Sequence, residues 1–170
     1  QEYVVVVGES SDDTLEQIQL IEDPKIKIIE TTWNEKMTSQ GFVYGQQKMI
    51  AQYLCRGDWV FYLEGDEVLH EKDLDSIRHV LETNFDNKDV EAISFKFLHF
   101  YGTPFQTGIS GYRRAPRIIR NTLRSIAPDG LYWIVLKNKK RGRYPHALEI
   151  DASIYHYGHC RKIQYTNKKL

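Results

Sequence analysis

Tyr3-Val4-Val5-Val6-Val7 is an uninterrupted β-branched run closed by Gly8, the pattern of a strand buried on both faces of a parallel sheet. The N-cap formers Ser10, Ser11, Asp12 and Asp13 follow, and Leu15, Ile18 and Ile21 recur at helical spacing until Asp23-Pro24 stops the pattern. Residues 25–29 alternate as a second strand, completing a β-α-β unit. A second helix is predicted from Val43, Gln47, Ile50, Ala51 and Leu54, ending near Gly57. Residues 59–63 read as another buried strand running straight into Glu64-Gly65-Asp66-Glu67, with Leu74, Ile77 and Leu81 marking a helix beyond. Residues 92–100 form a strand by aromatic and β-branched content, with Ile93, Phe95 and Phe97 on one face. A Gly/Pro/Thr-containing loop spans 102–111, a short strand resumes around Arg117-Ile118-Ile119-Arg120, residues 137–143 read as a solvated charged loop, and residues 150–156 are a last strand. Alternating strands and helices predict an α/β domain with a mixed, mostly parallel sheet flanked by helices.

Charge changes this picture. The 170 residues balance 23 basic against 23 acidic side chains, yet residues 1–85 carry 17 acidic and 7 basic groups and residues 86–170 carry 6 and 16. Apolar runs interrupt both halves, which excludes a disordered polyelectrolyte. The basic half lacks the aromatic platform or recognition helix of a nucleic-acid module, so such a module is the lesser alternative and no nucleic-acid partner is expected. Cys55 and Cys160 show no C-x-x-C spacing, which points to a reducing compartment and away from a disulfide framework or zinc site. No stretch approaches the roughly 18 apolar residues of a membrane span.

Acidic groups stand where strands end: Glu9, Asp12 and Asp13 after the first, Glu64, Asp66 and Glu67 after the third. In open α/β sheets ligands bind beyond the carboxyl ends of strands, and a hard cation with oxygen ligands, Mn²⁺ or Mg²⁺, accounts for carboxylates there. Side chains at i and i+2 of a strand lie about 6.6 Å apart whereas metal–oxygen bonds are about 2.1 Å. Glu64 and Asp66 can therefore share an ion only if Gly65 bends the backbone. Asp66 is the primary candidate ligand; the alternative is a strand-to-helix turn with Asp66 or Glu67 as caps. His156, at a strand end, is a further candidate ligand or a histidine bonded to backbone, and His159 a weaker one. His99, among aromatics, reads as a packed structural residue. Arg113, Arg114, Arg117, Arg120 and Arg124 are candidate phosphate contacts or solvated surface.

Residues 4–14, with Ser10-Ser11-Asp12-Asp13-Thr14, resemble the early strand and turn of the glycosyltransferase family 2 domain. Gly57-Asp58-Trp59-Val60-Phe61-Tyr62-Leu63-Glu64-Gly65-Asp66-Glu67 is similar to that family's strand and D-x-D motif. His99-Phe100-Tyr101-Gly102, residues 117–121 and Tyr155-His156-Tyr157-Gly158 resemble a bacterial subgroup of small family 2 enzymes. The resemblance runs through nearly the whole chain. It implies a GT-A-like, Rossmann-related fold over 1–170 as a single domain, an N-terminally incomplete fragment lacking the family's first strand. Residues 1–85 would be its nucleotide and metal side and 86–170 its acceptor and diphosphate side.

The implied activity is metal-dependent, inverting transfer of a hexosyl-type sugar from a nucleoside diphosphate sugar to a saccharide or lipid-linked acceptor. It would take place in the cytoplasm or at the inner face of the membrane, with peripheral membrane contact. Carried over by motif, the metal ligands are Asp66 and Glu64 with His156 completing the shell. Glu9, Ser10, Asp12, Glu64, Arg117 and Arg120 would contact the nucleotide sugar; for the catalytic base, Asp129 in the turn signal Pro128-Asp129-Gly130 is the nearest candidate. Three departures stand out: Gly8 replaces the family's aspartate at the strand end, the D-x-D begins with Glu64, and no late Glu-Asp pair supplies a base. These departures also fit the alternative of a non-catalytic domain that binds a sugar or partner.

Overall fold

The computed structural model describes residues 1–109 and 111–160; residues 161–170 of the basic half lie outside it. In chain order the elements are β1 (Tyr3–Val7), α1 (Thr14–Gln19), β2 (Ile26–Glu30), α2 (Phe42–Leu54), β3 (Trp59–Phe61), β4 (Glu67–Leu69), α3 (Leu74–Thr83), β5 (Ala92–Tyr101), β6 (Arg114–Arg120), β7 (Ser125–Ile126), β8 (Ile134–Asn138), β9 (Arg141–Arg143) and β10 (Ala147–His159). The fold is α/β, and the described residues divide into two units: Gln1–Tyr62 with Ile119–Pro145, and Leu63–Ile118 with residues 146–160.

In the first unit β1 and β2 pair in parallel, Tyr3 opposite Ile26 and Val7 opposite Glu30, giving the expected β-α-β unit. The valine run is only half-buried, with Val7 alone of the five buried. A two-stranded sheet leaves each strand one neighbour, so β1 never reaches the central position that a continuous apolar run suggests. Gly8 is held against Trp33, whose indole Nε1 would lie 1.5 Å from any added Cβ. The indole thus occupies the space that an aspartate side chain at this position would need.

Helix α2 follows the left-handed residues Gln40 and Gly41 (φ 56° and 73°). Its buried residues are Val43, Gly45, Lys48 and Gln52, so of the predicted stripe only Val43 is fully buried while Gln47, Ile50, Ala51 and Leu54 are half-buried. Lys48 Nζ donates to the Gly130 carbonyl at 3.1 Å and sits 3.4 Å above the Trp133 ring. Gln52 donates to Ser125 Oγ and accepts from Trp133 Nε1 at 2.7 Å. Burial of polar side chains on this face is tolerated because each has a partner. Trp133, Ile119, Val60 and Ala127 form the adjoining apolar core. Residues 137–143, expected as a loop, instead close an antiparallel hairpin of β8 and β9, with Val135 opposite Arg143.

The second unit orders its strands β6-β5-β10-β4. β10 runs parallel to β5, with His156 opposite His99, and antiparallel to β4, with His156 opposite Glu67. The first four residues of β5 are all buried, as its place between two strands requires. The sheets are therefore mixed rather than mostly parallel: β1–β2 and β5–β10 are parallel pairs, while β4–β10 and the β7-β8-β9 sheet are antiparallel. A register shift in β10 between His156 and His159 displaces Tyr157 and Gly158 from the regular ladder.

Candidate metal centre

The acidic turn after β3 is shaped by one buried ion pair. Glu67 Oε2 accepts from Arg117 Nε at 2.8 Å, its other oxygen accepts from Nη2, and neither side chain is exposed. Burial pulls the Arg117 pKa down, but the hydrogen bonds and charge of Glu67 outweigh it and hold the guanidinium above its ordinary value. The same Glu67 carboxylate accepts the Glu64 N–H at 3.2 Å, while the Glu67 N–H donates to the Glu64 carbonyl at 3.0 Å. Glu64-Gly65-Asp66-Glu67 is thus a closed turn, the backbone bend that a shared site at Gly65 demands. Glu64 Oε1 lies 3.8 Å from Arg117 Nη2.

Asp66 faces the other way, toward β10. Its carbonyl accepts the Tyr157 N–H at 2.8 Å, which fixes the backbone. Its Oδ1 is buried with no hydrogen-bond partner and lies 3.7 Å from His156 Nε2. Beneath them is Gly158, where a Cβ would come within 2.5 Å of Asp66 Oδ2 and 2.8 Å of His156 Nε2. Burial depresses the His156 pKa below the ordinary imidazole value, with the Asp66 charge acting against it. At neutral pH the imidazole is therefore neutral. An orphaned carboxylate oxygen opposite an imidazole nitrogen, in a cradle that only glycine leaves open, fits a divalent cation.

Two more histidines converge here. One ring nitrogen from each of His99, His156 and His159 lies within 4.8 Å of the other two. His99 is buried, bonded through Nδ1 to His156 Nδ1 at 3.0 Å and through Nε2 to the Tyr112 carbonyl at 2.9 Å. His159 stacks on Tyr101 at 4.6 Å with the rings 2° apart. Its place among aromatics predicts a packing role for His99, and the sequence gives no direct sign of its bond to His156. The available signal is a histidine followed by one or two aromatics and a glycine, in His99-Phe100-Tyr101-Gly102 and in His156-Tyr157-Gly158, on adjacent strands with the two histidines opposed.

The remaining candidates fall elsewhere. Asp12, in the first unit, accepts from Ser10 Oγ and from the Thr14 hydroxyl and N–H, and these bonds, Ser10 first, hold its pKa at about 2. Glu9 and Ser10 are exposed beside it. Arg120 is buried with its guanidinium 4.1 Å from the centre of the Trp59 ring. Asp129 Oδ1 accepts the Leu131 and Tyr132 N–H groups, both at 2.8 Å, and lines a cavity of about 550 Å³ with Met37, Gln40, Phe42 and Pro128. In the second unit Arg114 pairs with Glu149 at 3.2 Å. Among the described residues no helix is long and apolar enough to cross a membrane.

No protein-family model matches the chain. It is 25% identical over 175 residues to a protein of Rickettsia typhi (strain ATCC VR-144 / Wilmington) named as an uncharacterized glycosyltransferase. The match covers 98% of this chain and 54% of that relative, so the chain spans about half the length of the curated relative it matches.

Proposed function

We infer that the chain carries out glycosyl transfer, moving a sugar from a nucleoside diphosphate sugar to an acceptor hydroxyl, with a divalent cation held by Asp66 and His156. The name of the Rickettsia relative supports glycosyl transfer in general. The resemblance of residues 57–67 to a D-x-D strand supports family 2 and a GT-A-like reading. The observation that carries the metal assignment is the buried, unpartnered Asp66 Oδ1 facing His156 Nε2 above Gly158.

When bound, the cation supplies charge to offset what the leaving diphosphate gains as the glycosidic bond breaks. The protein's own residues prepare that site. Arg117 and Glu67 lock the turn, so Asp66 is presented without reorganisation. Glu64, at the rim of this turn and about a third exposed, would accept from a sugar hydroxyl. A carboxylate with one imidazole favours Mn²⁺ over Mg²⁺, which prefers an all-oxygen shell.

The test is a panel of nucleoside diphosphate sugars incubated with the protein with and without Mn²⁺, reading nucleoside diphosphate release and the thermal midpoint. The reading predicts Mn²⁺-dependent release from one donor class and a Mn²⁺-dependent rise in midpoint, both lost in Asp66→Asn. A midpoint shift without release from any donor would leave a binding domain without turnover. A wild-type shift in Asp66→Asn would remove the metal assignment.

A further inference from the structure

We propose that His99 is a positioning residue that fixes the tautomer of His156 and so aims the Nε2 lone pair at the cation site; this rests on the metal reading of Asp66 and His156 given above. The hydrogen positions follow from the partners. A carbonyl oxygen only accepts, so the Tyr112 carbonyl, 2.9 Å from His99 Nε2, places the His99 proton on Nε2. A neutral imidazole has one N–H, which leaves His99 Nδ1 an acceptor. Its neighbour at 3.0 Å, His156 Nδ1, must then bring the proton. His156 is therefore the Nδ1–H tautomer, and its Nε2 carries a lone pair toward Asp66 Oδ1, 3.7 Å away. Two electron-pair donors face one another with no proton between them, which is the arrangement a cation completes.

The fold holds this relay in place. His99 and His156 are directly opposed in the parallel β5–β10 ladder, so their Cα positions come from the sheet register. Tyr112 and Phe97 clamp the His99 ring, edge-on at 4.8 Å and stacked at 5.7 Å respectively. Gly111, at φ +105°, lets the loop pass so close that a Cβ there would lie 3.1 Å from His99 Nε2. That approach is what delivers the Tyr112 carbonyl. Both ring nitrogens of His99 are engaged, by the Tyr112 carbonyl and His156 Nδ1, so its effect on Asp66 and the cation runs through His156.

Two measurements on the full chain test this. In metal-free protein, above the imidazole titration range, long-range ¹H–¹⁵N correlation spectra should show His156 protonated on Nδ1 and His99 on Nε2. In Mn²⁺ titrations, His99→Phe, which keeps a ring but no hydrogen bond, should weaken binding by about tenfold or more and let His156 populate both tautomers. His99→Gln should restore most of the affinity, because its amide can donate to Tyr112 and accept from His156 at once.

A wild-type His156 protonated on Nε2 would overturn the proposal, as would wild-type Mn²⁺ affinity in His99→Phe, or equal losses in His99→Phe and His99→Gln. Should His99→Phe fail to fold, the wild-type spectrum and His99→Gln still decide. Asp66→Asn and His156→Ala separate the two readings: wild-type Mn²⁺ binding in both removes the metal site itself, while losses in both with wild-type binding in His99→Phe remove only the role of His99.

Discussion

Replacing Gly158 by alanine separates the metal site from the fold that carries it. The added Cβ would sit 2.5 Å from Asp66 Oδ2 and 2.8 Å from His156 Nε2, about an ångström inside ordinary contact. The nearest atoms are the tip of the Asp66 carboxylate and the edge of the His156 ring, so the strain is relieved by turning those side chains rather than by moving backbone. The stability loss should fall at the low end of the overpacking range, about 1 kcal/mol, or a fall of about 2–4 °C in thermal midpoint for a chain of this size. Metal binding has no such tolerance. Metal–ligand distances hold within about 0.2 Å, and a carboxylate displaced by several times that no longer shares an ion with His156. Mn²⁺ affinity should drop at least about tenfold, equivalent to about 1.4 kcal/mol. Calorimetric Mn²⁺ titration beside thermal melts in chelator reads both quantities. Gly65→Ala is the control, because no atom lies within 4 Å of a Cβ there. Wild-type Mn²⁺ affinity in Gly158→Ala, or an equal loss in Gly65→Ala, would refute the cradle.

Glu67→Ala should destabilise by about 3–5 kcal/mol in denaturant melts, because it strands the buried Arg117 charge; the exposed pair Arg78–Asp75 should contribute less than about 1 kcal/mol when broken. Gly45→Ala should lose about 1–3 kcal/mol despite alanine's better helix propensity, since its Cβ would meet the Ala127 carbonyl at 2.5 Å and the Asp129 nitrogen at 2.8 Å; a neutral or stabilising result would show that α2 can shift. In metal-free protein, His156 titrates below its ordinary value of 6.5 because burial disfavours its charge. As pH falls through 6.5 the unfolded chain takes the proton first, so this contribution is whole above 6.5 and is lost as pH drops through the folded value. Melts at a series of pH values should show a decline that His156→Gln reduces; an identical profile in the variant would return the decline to other groups.

Much of this protein can be read from local pattern. The helical spacing of Val43 to Leu54 and of Leu74 to Leu81 predicts α2 and α3, and the valine run predicts β1, because 3.6-residue periodicity and β-branching act within a few residues of chain. Asp66 and His156 were legible as candidates because charged or ionisable groups end apolar strands. The buried face of α2 was not, since Lys48 and Gln52 owe their burial to Gly130, Ser125 and Trp133, more than 70 residues away in sequence. Arg117, read as a phosphate contact, is fully buried against Glu67 for the same kind of reason.

What the chain determined by itself is therefore a set of elements and a set of reactive side chains at their ends. Tertiary structure alone decided which of those side chains meet. Strand order and register set His156 opposite both Glu67 and His99, and the shift that follows brings Gly158 under Asp66. Pairing across a sheet joins residues of any separation with the same hydrogen bonds, so no local signal encodes it. A packed aromatic histidine and one that directs its neighbour's proton look alike in sequence, and the Tyr112 carbonyl tells them apart.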